Sequence, residues 1–363
     1  QDGKPYVIRF KSSGNHLNKI KVHDEIRGDL ELSQNDQDIV IMKSDGLPTY
    51  HFAHICDDHF MRTNLVTRGE EWLSSLPIHL EIFKALGFKA PKYAHLPVIM
   101  KLDNGNRRKL SKRKDAEASV DYFIKEGYEP NALLVYLMTI ANSNYEDFIV
   151  QSKDYNLDHF KFSLKKMSLD GALFDIGKLN FYSKEILSKM SKEEISNKAF
   201  EWAQIYDPCF ASFIKKDYER FLAIMNIERE KKNPRKDYAK YSDIFPLIKF
   251  FDYDFYKEII NKKEYTLNSK ISLEIIKTFL KSYENSNFIN YEFENDWFNN
   301  IKDVAKRIGF CVDNKLYKEH PLDYVGNVND ACELLRICLT GRNVTPNLFS
   351  IMKILKQNEI KKK

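Results

Sequence analysis

The densest chemistry in the sequence lies in eight residues. Six of the eight from Arg107 to Lys114 are basic, and their centre reads Lys109-Leu110-Ser111-Lys112-Arg113. Clustered cations on a loop suit a reaction in which negative charge builds on a leaving polyphosphate, because charges that act in the transition state accelerate the step. Standing alone, such a run more often marks a solvated charge face or a localisation signal. Upstream, Arg68-Gly69 leads into Glu70-Glu71. The planar fork of an arginine can grip both oxygens of a carboxylate, although a structural ion pair would also explain Arg68. His51, His54 and His59 have spacings that one helix could turn toward a metal, with Asp57-Asp58 among them. No Cys/His ligand set accompanies them, so helix-end and fold-stabilising roles are read for the aspartates and no protein-bound zinc is expected.

These residues need elements to hold them. Tyr6–Phe10 and Asp38–Met42 read as strands, and residues 11–37 between them as polar and turn-rich. Thr63–Thr67 reads as a strand with Arg68 at its C-terminal end. A helix is expected from Glu70, where carboxylates suit the positive end of the helix dipole. Leu73, Leu76, Leu80, Phe83 and Leu86 recur at helical spacing, and Gly87 stops the helix. Tyr93–Met100 reads as the next strand. Strand, helix, strand at these lengths predicts a right-handed βαβ unit, whose ligands bind at the carboxyl ends of the strands. Arg68 lies at one such end, and the loop 107–114 follows the other. Beyond Asp115 the pattern is helical: one short helix to Gly127, another opened by Pro130, and more to the end. Thr345-Pro346 reads as a helix start, with Thr as cap and Pro in the first turn.

In this setting the sequence resembles the bacterial glutamate–tRNA ligases, a family of class I aminoacyl-tRNA synthetases. Lys109-Leu110-Ser111-Lys112-Arg113 matches the family's second signature. Ser44-Asp45-Gly46-Leu47-Pro48-Thr49-Tyr50, Asp57-Asp58-His59, Val66 to Glu71, Ala94-His95-Leu96-Pro97 and Gly127-Tyr128-Glu129-Pro130 fit in the same order, as do Phe174-Asp175-Ile176 and Lys178-Leu179. Near the end, Leu339-Thr340-Gly341-Arg342, Thr345-Pro346 and Leu348-Phe349 resemble the family's helical anticodon-binding end. The resemblance implies an α/β plus all-α chain: the second half of a class I synthetase Rossmann fold, then helical stem-contact and anticodon-binding domains. The implied divisions are 1–45, the end of a connective insertion; 46–114, the half-Rossmann segment with the signature loop; 115–190, the stem-contact region; and 191–363, the anticodon domain.

The resemblance also implies roles. Lys112 and Lys109 would stabilise the ATP triphosphate, with Leu110 beside them. Glu71 and Trp72 correspond to ATP-side positions, and Val98 and Ile99 to backbone positions that hold adenine. Arg68 would bind the carboxylate of glutamate, with Tyr50 as a hydroxyl partner. His54, a further candidate for glutamate binding, stands where relatives carry an amide or an apolar residue. For tRNA, the implied contacts are Arg336, Thr345, Leu348, Phe349, Lys178 and Phe181, the last replacing a tryptophan. An arginine that reads the last anticodon base should lie between Arg229 and Lys240. Mg2+ would arrive with ATP and keep mostly phosphate and water ligands.

The bulk numbers set limits. At 363 residues the chain suits two or three domains, and 25 Phe and 20 Tyr against 13 Gly and 11 Pro favour packed helices. A net charge of +5 does not by itself announce a nucleic-acid binder, so local patches must do so. Cys56, Cys209, Cys311, Cys332 and Cys338 show no CxxC pair and read as thiols of a reducing cytosol. A cytoplasmic monomer that does not enter a membrane is expected. The first class I signature, His-x-Gly-His, is not found: His16-Leu17-Asn18-Lys19 and His51-Phe52-Ala53-His54 both lack the glycine. The chain alone is therefore expected to be inactive, as part of a longer ligase. A tRNA-binding module without catalysis and a glutamine-type ligase are the alternatives; the helical C-terminal end disfavours the latter.

Overall fold

The computed structural model describes residues 4–286 and 291–363. The chain divides into two compact units, Gln1–Val120 with Leu133–Leu179, and Asp121–Ala132 with Asn180–Lys363.

In the first unit, β1 (Ile8–Phe10) pairs antiparallel with β4 (Ile39–Met42). β2 (Lys19–Asp24), β3 (Gly28–Ser33), β5 (Leu65–Gly69) and β6 (Lys92–Leu96) form a mixed sheet in the order β3-β2-β6-β5. The β2–β3 pair is antiparallel, whereas β2–β6 and β5–β6 are parallel. The predicted βαβ unit is present as β5, a 3₁₀ turn (Glu70–Ser75), a helix and β6. Stretch 11–37, expected to be polar turns, instead holds the β2–β3 hairpin. Ile20 and Val22 alternate with Lys21 and His23, so one face is half-buried. The helix expected from Glu70 begins only at Leu76, with Pro77 in its first turn. The long strand expected from Tyr93 to Met100 is interrupted after Leu96; Pro97 has no N–H to give a ladder. The chain resumes as β7 (Met100–Asp103), which turns through Asn104-Gly105 into β8 (Asn106–Lys109). Both turn residues have positive φ, 49° and 82°, as a two-residue hairpin turn requires.

Two helices cover this framework, α1 (Tyr50–Phe60) and α2 (Leu76–Ala85). Ile55, Ile82 and Phe83 are buried between them, with Phe10, Ile39, Ile41, Phe52 and Phe88 packed around. Each such side chain removed from water contributes about 1.5–3 kcal/mol, which ties the β1–β4 ribbon to both helices.

α3 (Val120–Glu126), α4 (Pro130–Ala141), α5 (Tyr145–Ser152) and α6 (Ile176–Lys189) follow. The second unit continues with α7 (Lys192–Tyr206), α8 (Pro208–Lys216), α9 (Tyr218–Met225), α10 (Ile244–Ile248), α11 (Tyr253–Lys262) and α12 (Leu273–Glu284). It ends with α13 (Glu294–Arg307), α14 (Asn314–Glu319), α15 (Val328–Thr340), α16 (Leu348–Ile354) and α17 (Gln357–Lys362). The sequence punctuates these helices. Ser191, Asp207 and Asp217 cap α7, α8 and α9 through their side-chain oxygens, and Gly341 ends α15 at φ 70°. No helix among the described residues is long and apolar enough to cross a membrane.

The backbone of β7 is held by a neighbouring segment. Met100 N–H donates to the Ala172 carbonyl and Phe174 N–H to the Met100 carbonyl, both at 2.8 Å. A Cβ added at Gly171 would stand 2.6 Å from the Val98 carbonyl oxygen. Gly171→Ala must therefore displace backbone, at a cost of about 1–3 kcal/mol. The expected outcome is faster hydrogen exchange of the β7 amides and a lower urea midpoint. An unchanged midpoint would show that this segment does not constrain Val98.

Candidate active site

Arg68 is the last side chain of β5 before Gly69, at the carboxyl end of a parallel strand. Its Nε–H donates to His95 Nε2 at 2.9 Å, one Nη1–H to His79 Nδ1 at 3.0 Å and one Nη2–H to the Trp72 carbonyl at 3.4 Å. The guanidinium lies 4.9 Å from the centre of the Tyr93 ring and 6.0 Å from that of Trp72. Among the described residues no carboxylate pairs with it. Each partner is placed by a different element: His95 and Tyr93 by β6, His79 by α2, Trp72 by the 3₁₀ turn.

The partners of Arg68 are themselves tied. His95, 0 % exposed, donates through Nδ1 to Asp24 of β2 at 2.7 Å. Asp24 also accepts the backbone N–H groups of Ile26, Arg27 and His95. Burial alone would raise the Asp24 pKa, but the His95 ring and these amides outweigh it and lower the value. His79, also 0 % exposed, meets His51 Nδ1 through Nε2 at 2.9 Å. Burial first, and the Arg68 charge second, push the His79 pKa down to about 2. Burial also lowers the values of His95, His51 and His54. Four imidazoles around one guanidinium are thus kept neutral.

Tyr50 and His54 join this cluster from α1. The Tyr50 ring packs 4.5 Å from Trp72 and stacks at 5.7 Å on His54. His54 places Nδ1 2.6 Å from Asp58 and Nε2 3.3 Å from the Tyr93 hydroxyl. Nε2 of His54 is thus engaged by Tyr93, whereas Nδ1 lies against Asp58 without a hydrogen bond to its Oδ2. Tyr50 is 50 % exposed and forms the open side of the cluster. His59 instead stacks on Phe88, away from any metal arrangement with His51 and His54.

The basic run divides into two parts. Its first residues are not loop but strand β8. Arg108 forks onto Asp115 at 2.6 and 2.7 Å and reaches Asp103 at 2.6 Å, while Lys101 approaches Asp115 at 3.2 Å. Asp115 also accepts Ser111 N–H at 2.9 Å and donates its own N–H to the Ser111 carbonyl. The pKa of Asp115 is held well below the carboxylate range, chiefly by Arg108 and then by Ser111. This closes residues 111–115 into a turn. Lys109 pairs with Glu71 at 2.8 Å and lowers its pKa. Lys112, Arg113 and Lys114 stand exposed on the turn. Leu110 N–H donates to the Ile99 carbonyl at 2.9 Å, and Val98 N–H points to Glu70 at 3.4 Å. The Val98 carbonyl faces Gly171 at close range.

The expected RNA-facing residues fall elsewhere. Lys178 on α6 pairs with Glu146, and Phe181, further along α6, is 57 % exposed. In the second unit, Arg336 of α15 donates to the Thr345 hydroxyl at 2.8 Å and to the Thr345 and Pro346 carbonyls at 3.2 and 3.3 Å. Arg336, Arg235, Glu228, Trp297 and Leu348 line a cavity of about 240 Å3. The cap of α16 is Asn347, whose side chain accepts Ser350 N–H; Thr345 and Pro346 precede the helix instead of starting it. Arg336 engages Thr345, which leaves Asn347 as the free cap. Leu348 is buried, whereas Phe349 packs on Trp297 at 5.5 Å. Within 229–240, Arg229 gives its N–H groups to the Leu187, Met190 and Met225 carbonyls and to Tyr238. Arg235 forks onto Asp237 and faces the cavity.

Sequence reasoning missed His79, His95 and Asp24 as a set. A signal for His79 existed: it lies three residues after Leu76 and four before Phe83, inside the apolar stripe. A histidine there must find buried partners. His95 and Asp24 meet only through the pairing of β2 with β6, which no local pattern encodes.

Comparison with known proteins gives the family and the fold. Residues 1–180 match the family of class I tRNA synthetases (E and Q), catalytic domain. A glutamate–tRNA ligase of Clostridium perfringens (strain 13 / Type A) is 43 % identical over 365 residues, 99 % of this chain and 66 % of that protein. The glutamate–tRNA ligase of Acetivibrio thermocellus is 40 % identical over 363 residues, covering 100 % and 65 %. That of Prosthecochloris aestuarii is 31 % identical over 371 residues, covering 99 % and 67 %. The chain spans about two thirds of the length of these curated relatives. Among solved structures, a glutamate tRNA ligase from Elizabethkingia meningosepticum, described as in complex with its amino acid, superposes with a TM-score of 0.65 at 24 % identity, covering 98 % of this chain and 66 % of that one. It supports the fold.

The depressed histidines have a consequence for stability. His79 titrates near 2 in the folded protein against 6.5 when unfolded, so between these values the unfolded chain binds more protons. Stability is complete above pH 6.5 and falls as the pH drops, by about 1.4 kcal/mol per pH unit per histidine. The window from 5 to 6.5 lies above the titration of carboxylates. The protection of the β5 and β6 amides against hydrogen exchange, taken relative to the intrinsic rate at each pH, should therefore fall from pH 6.5 to 5. His79→Gln should remove about one proton from that slope; an unaltered slope would show that His79 is not held neutral.

Proposed function

The chain belongs to the glutamate–tRNA ligases of class I, and from that premise we propose that it serves an enzyme which attaches glutamate to tRNA(Glu) at the expense of ATP. One observation carries the reading: the 2.8 Å Lys109–Glu71 pair brings the end of β8, which leads into the basic turn, against the 3₁₀ turn that follows Arg68. Groups suited to a polyphosphate and a group suited to a carboxylate are thereby held in one unit.

The chemistry is an in-line attack by a carboxylate oxygen of glutamate on the α-phosphate of ATP, forming glutamyl-adenylate and releasing pyrophosphate. The terminal ribose of the tRNA then takes the glutamyl group and AMP leaves. Protein groups act by positioning and charge, without a protein nucleophile. Arg68 takes one carboxylate of glutamate, and Tyr50, on the open side of the cluster, offers a hydroxyl. His54, whose Nε2 meets the Tyr93 hydroxyl and whose ring stacks on Tyr50, lines this wall of the glutamate site. Lys112, a movable point charge, meets the phosphates as charge develops. Lys109, Leu110, Glu71 and Trp72 border the nucleotide, and Val98 and Ile99 offer backbone to adenine. Mg2+ enters with ATP, held mostly by phosphate and water oxygens.

For tRNA, Arg336, Thr345, Leu348 and Phe349 face the anticodon, with Lys178 and Phe181 on the stem side. The cavity beside Arg336 suits one unstacked base, and the arginine of 229–240 that reads the last anticodon base is one of Arg229 and Arg235. The functional divisions follow 1–45, 46–114, 115–190 and 191–363.

The test is glutamate-dependent ATP–pyrophosphate exchange, with and without tRNA, by the protein that carries this chain. Exchange that falls about 100- to 1000-fold on Lys112→Ala is expected. Salt-sensitive tRNA binding without any exchange would instead mark a tRNA-binding protein with no catalysis. Arg336→Ala should weaken tRNA binding while leaving the affinity for glutamate as it was; equal tRNA affinity would remove Arg336 from the interface.

A further inference from the structure

Arg68 raises a question that its assigned role does not answer. A half-buried guanidinium ordinarily pairs with a carboxylate of its own chain. Two carboxylates lie near it, Asp24 on β2 and Asp58 on α1, and neither pairs with it. An imidazole lies against each of them, hydrogen-bonded to Asp24 but not to Asp58 Oδ2. His95 occupies Asp24 at 2.7 Å and turns its other nitrogen to Arg68. His54 lies 2.6 Å from Asp58 and turns its other nitrogen to Tyr93. His79 supplies a third neutral face.

We propose that His79 and His95 are positioning residues that hold Arg68 as a cation shielded from the chain's own carboxylates, so that it is free to take the carboxylate of a small amino-dicarboxylate. The proposal rests on the reading of Arg68 given above and adds how its charge is kept available.

The tautomers follow from the donors. Arginine can only donate, so His95 Nε2 and His79 Nδ1 carry no proton. His95 then carries its proton on Nδ1, toward Asp24. His79 carries it on Nε2, toward His51, which accepts on Nδ1. The groups around the guanidinium include Tyr50, His54 and Asp58 from α1, with the Tyr50 hydroxyl in hydrogen-bonding contact, Trp72 from the 3₁₀ turn, His79 from α2, Tyr93 and His95 from β6, His51 behind His79 and Asp24 behind His95. Loss of either acceptor leaves a guanidinium N–H unpaired and lets the fork swing toward Asp58 or Asp24. A chain carboxylate would then fill the place of the ligand.

Two measurements on the same protein test this. The first is nitrogen-15 NMR of the histidine rings, which reports tautomer and charge without any ligand. His79 protonated on Nε2 and His95 on Nδ1, both neutral from pH 5.5 to 8, is the expected result. A proton on His79 Nδ1, or titration of either ring near 6.5, overturns the proposal. The second is calorimetric binding of L-glutamate to wild type, His79→Gln, His79→Leu and Arg68→Gln. Glutamine keeps an acceptor oxygen and should bind within about threefold of wild type. Leucine keeps the volume without an acceptor and should bind about 10- to 100-fold more weakly. A merely structural role would lower thermal stability in both variants and leave the affinity of the folded protein unaltered. Wild-type affinity in His79→Leu, with binding lost in Arg68→Gln, removes the positioning role and leaves Arg68 in place. Wild-type affinity in Arg68→Gln, or no binding by wild type, removes the reading of Arg68 and this proposal with it.

Discussion

The first unit is organised around the burial of one cation without a counter-ion. Taking a guanidinium partly out of water is costly unless its N–H groups are met. Here two imidazole nitrogens and one carbonyl meet them, and two aromatic faces cover the rest. Imidazoles can accept only while neutral, and their burial keeps them so. The arrangement requires β5, β6, α1 and α2 in register, because each contributes one wall. It also requires the β2–β3 hairpin, since Asp24 fixes the tautomer of His95. A hairpin with a polar, unremarked sequence is therefore part of the site.

The basic run shows a second division of labour. Arg108 is consumed by structure. It forks onto Asp115, with Lys101 assisting, and the same carboxylate takes Ser111 N–H. A planar fork suits that fixed two-point contact. Lys112 and Lys114 in the turn are compact charges on long stems and carry no such duty. The turn is thus rigid at its base and charged at its rim. A site that must meet phosphate only as charge develops benefits from this separation, because the fixed pairs set position and the exposed lysines supply potential.

Much of this was legible in the sequence, for reasons that differ by residue. The β5–α2–β6 unit could be read because its signals are local: periodicity, Gly87 and short connections. Lys109 to Arg113 could be read because composition and order are unusual together. The β2–β3 hairpin could not, since only Ile20 and Val22 supply an apolar face in a stretch dominated by charge. The start of α2 slipped because Glu70-Glu71 satisfies helix-start chemistry while the chain forms a 3₁₀ turn first. The cap of α16 slipped because Thr345 has the right chemistry but is engaged by Arg336, a partner one helix away. Arg108 reads from sequence as one more cation of a basic loop because Asp115, its partner, lies outside the run. Each miss involves a contact that local pattern does not carry.

The second unit repeats the device at lower intensity. Arg229 and Arg336 direct their N–H groups to carbonyls and hydroxyls, and Arg342 reaches the Pro246 carbonyl. Arg220 and Arg235, by contrast, fork onto Glu359 and Asp237. Carbonyl partners hold a guanidinium in place without cancelling its charge, whereas carboxylate partners cancel it. A protein of net charge +5 cannot rely on bulk attraction for a polyanion. It can place a few uncompensated cations where burial lowers the screening around them. Position, more than number, then decides where negative charge is felt. The modest overall charge and the selective pairing of arginines are two sides of one constraint: Arg68 and Arg336 are held by groups that bear no charge, so their own charge stays available.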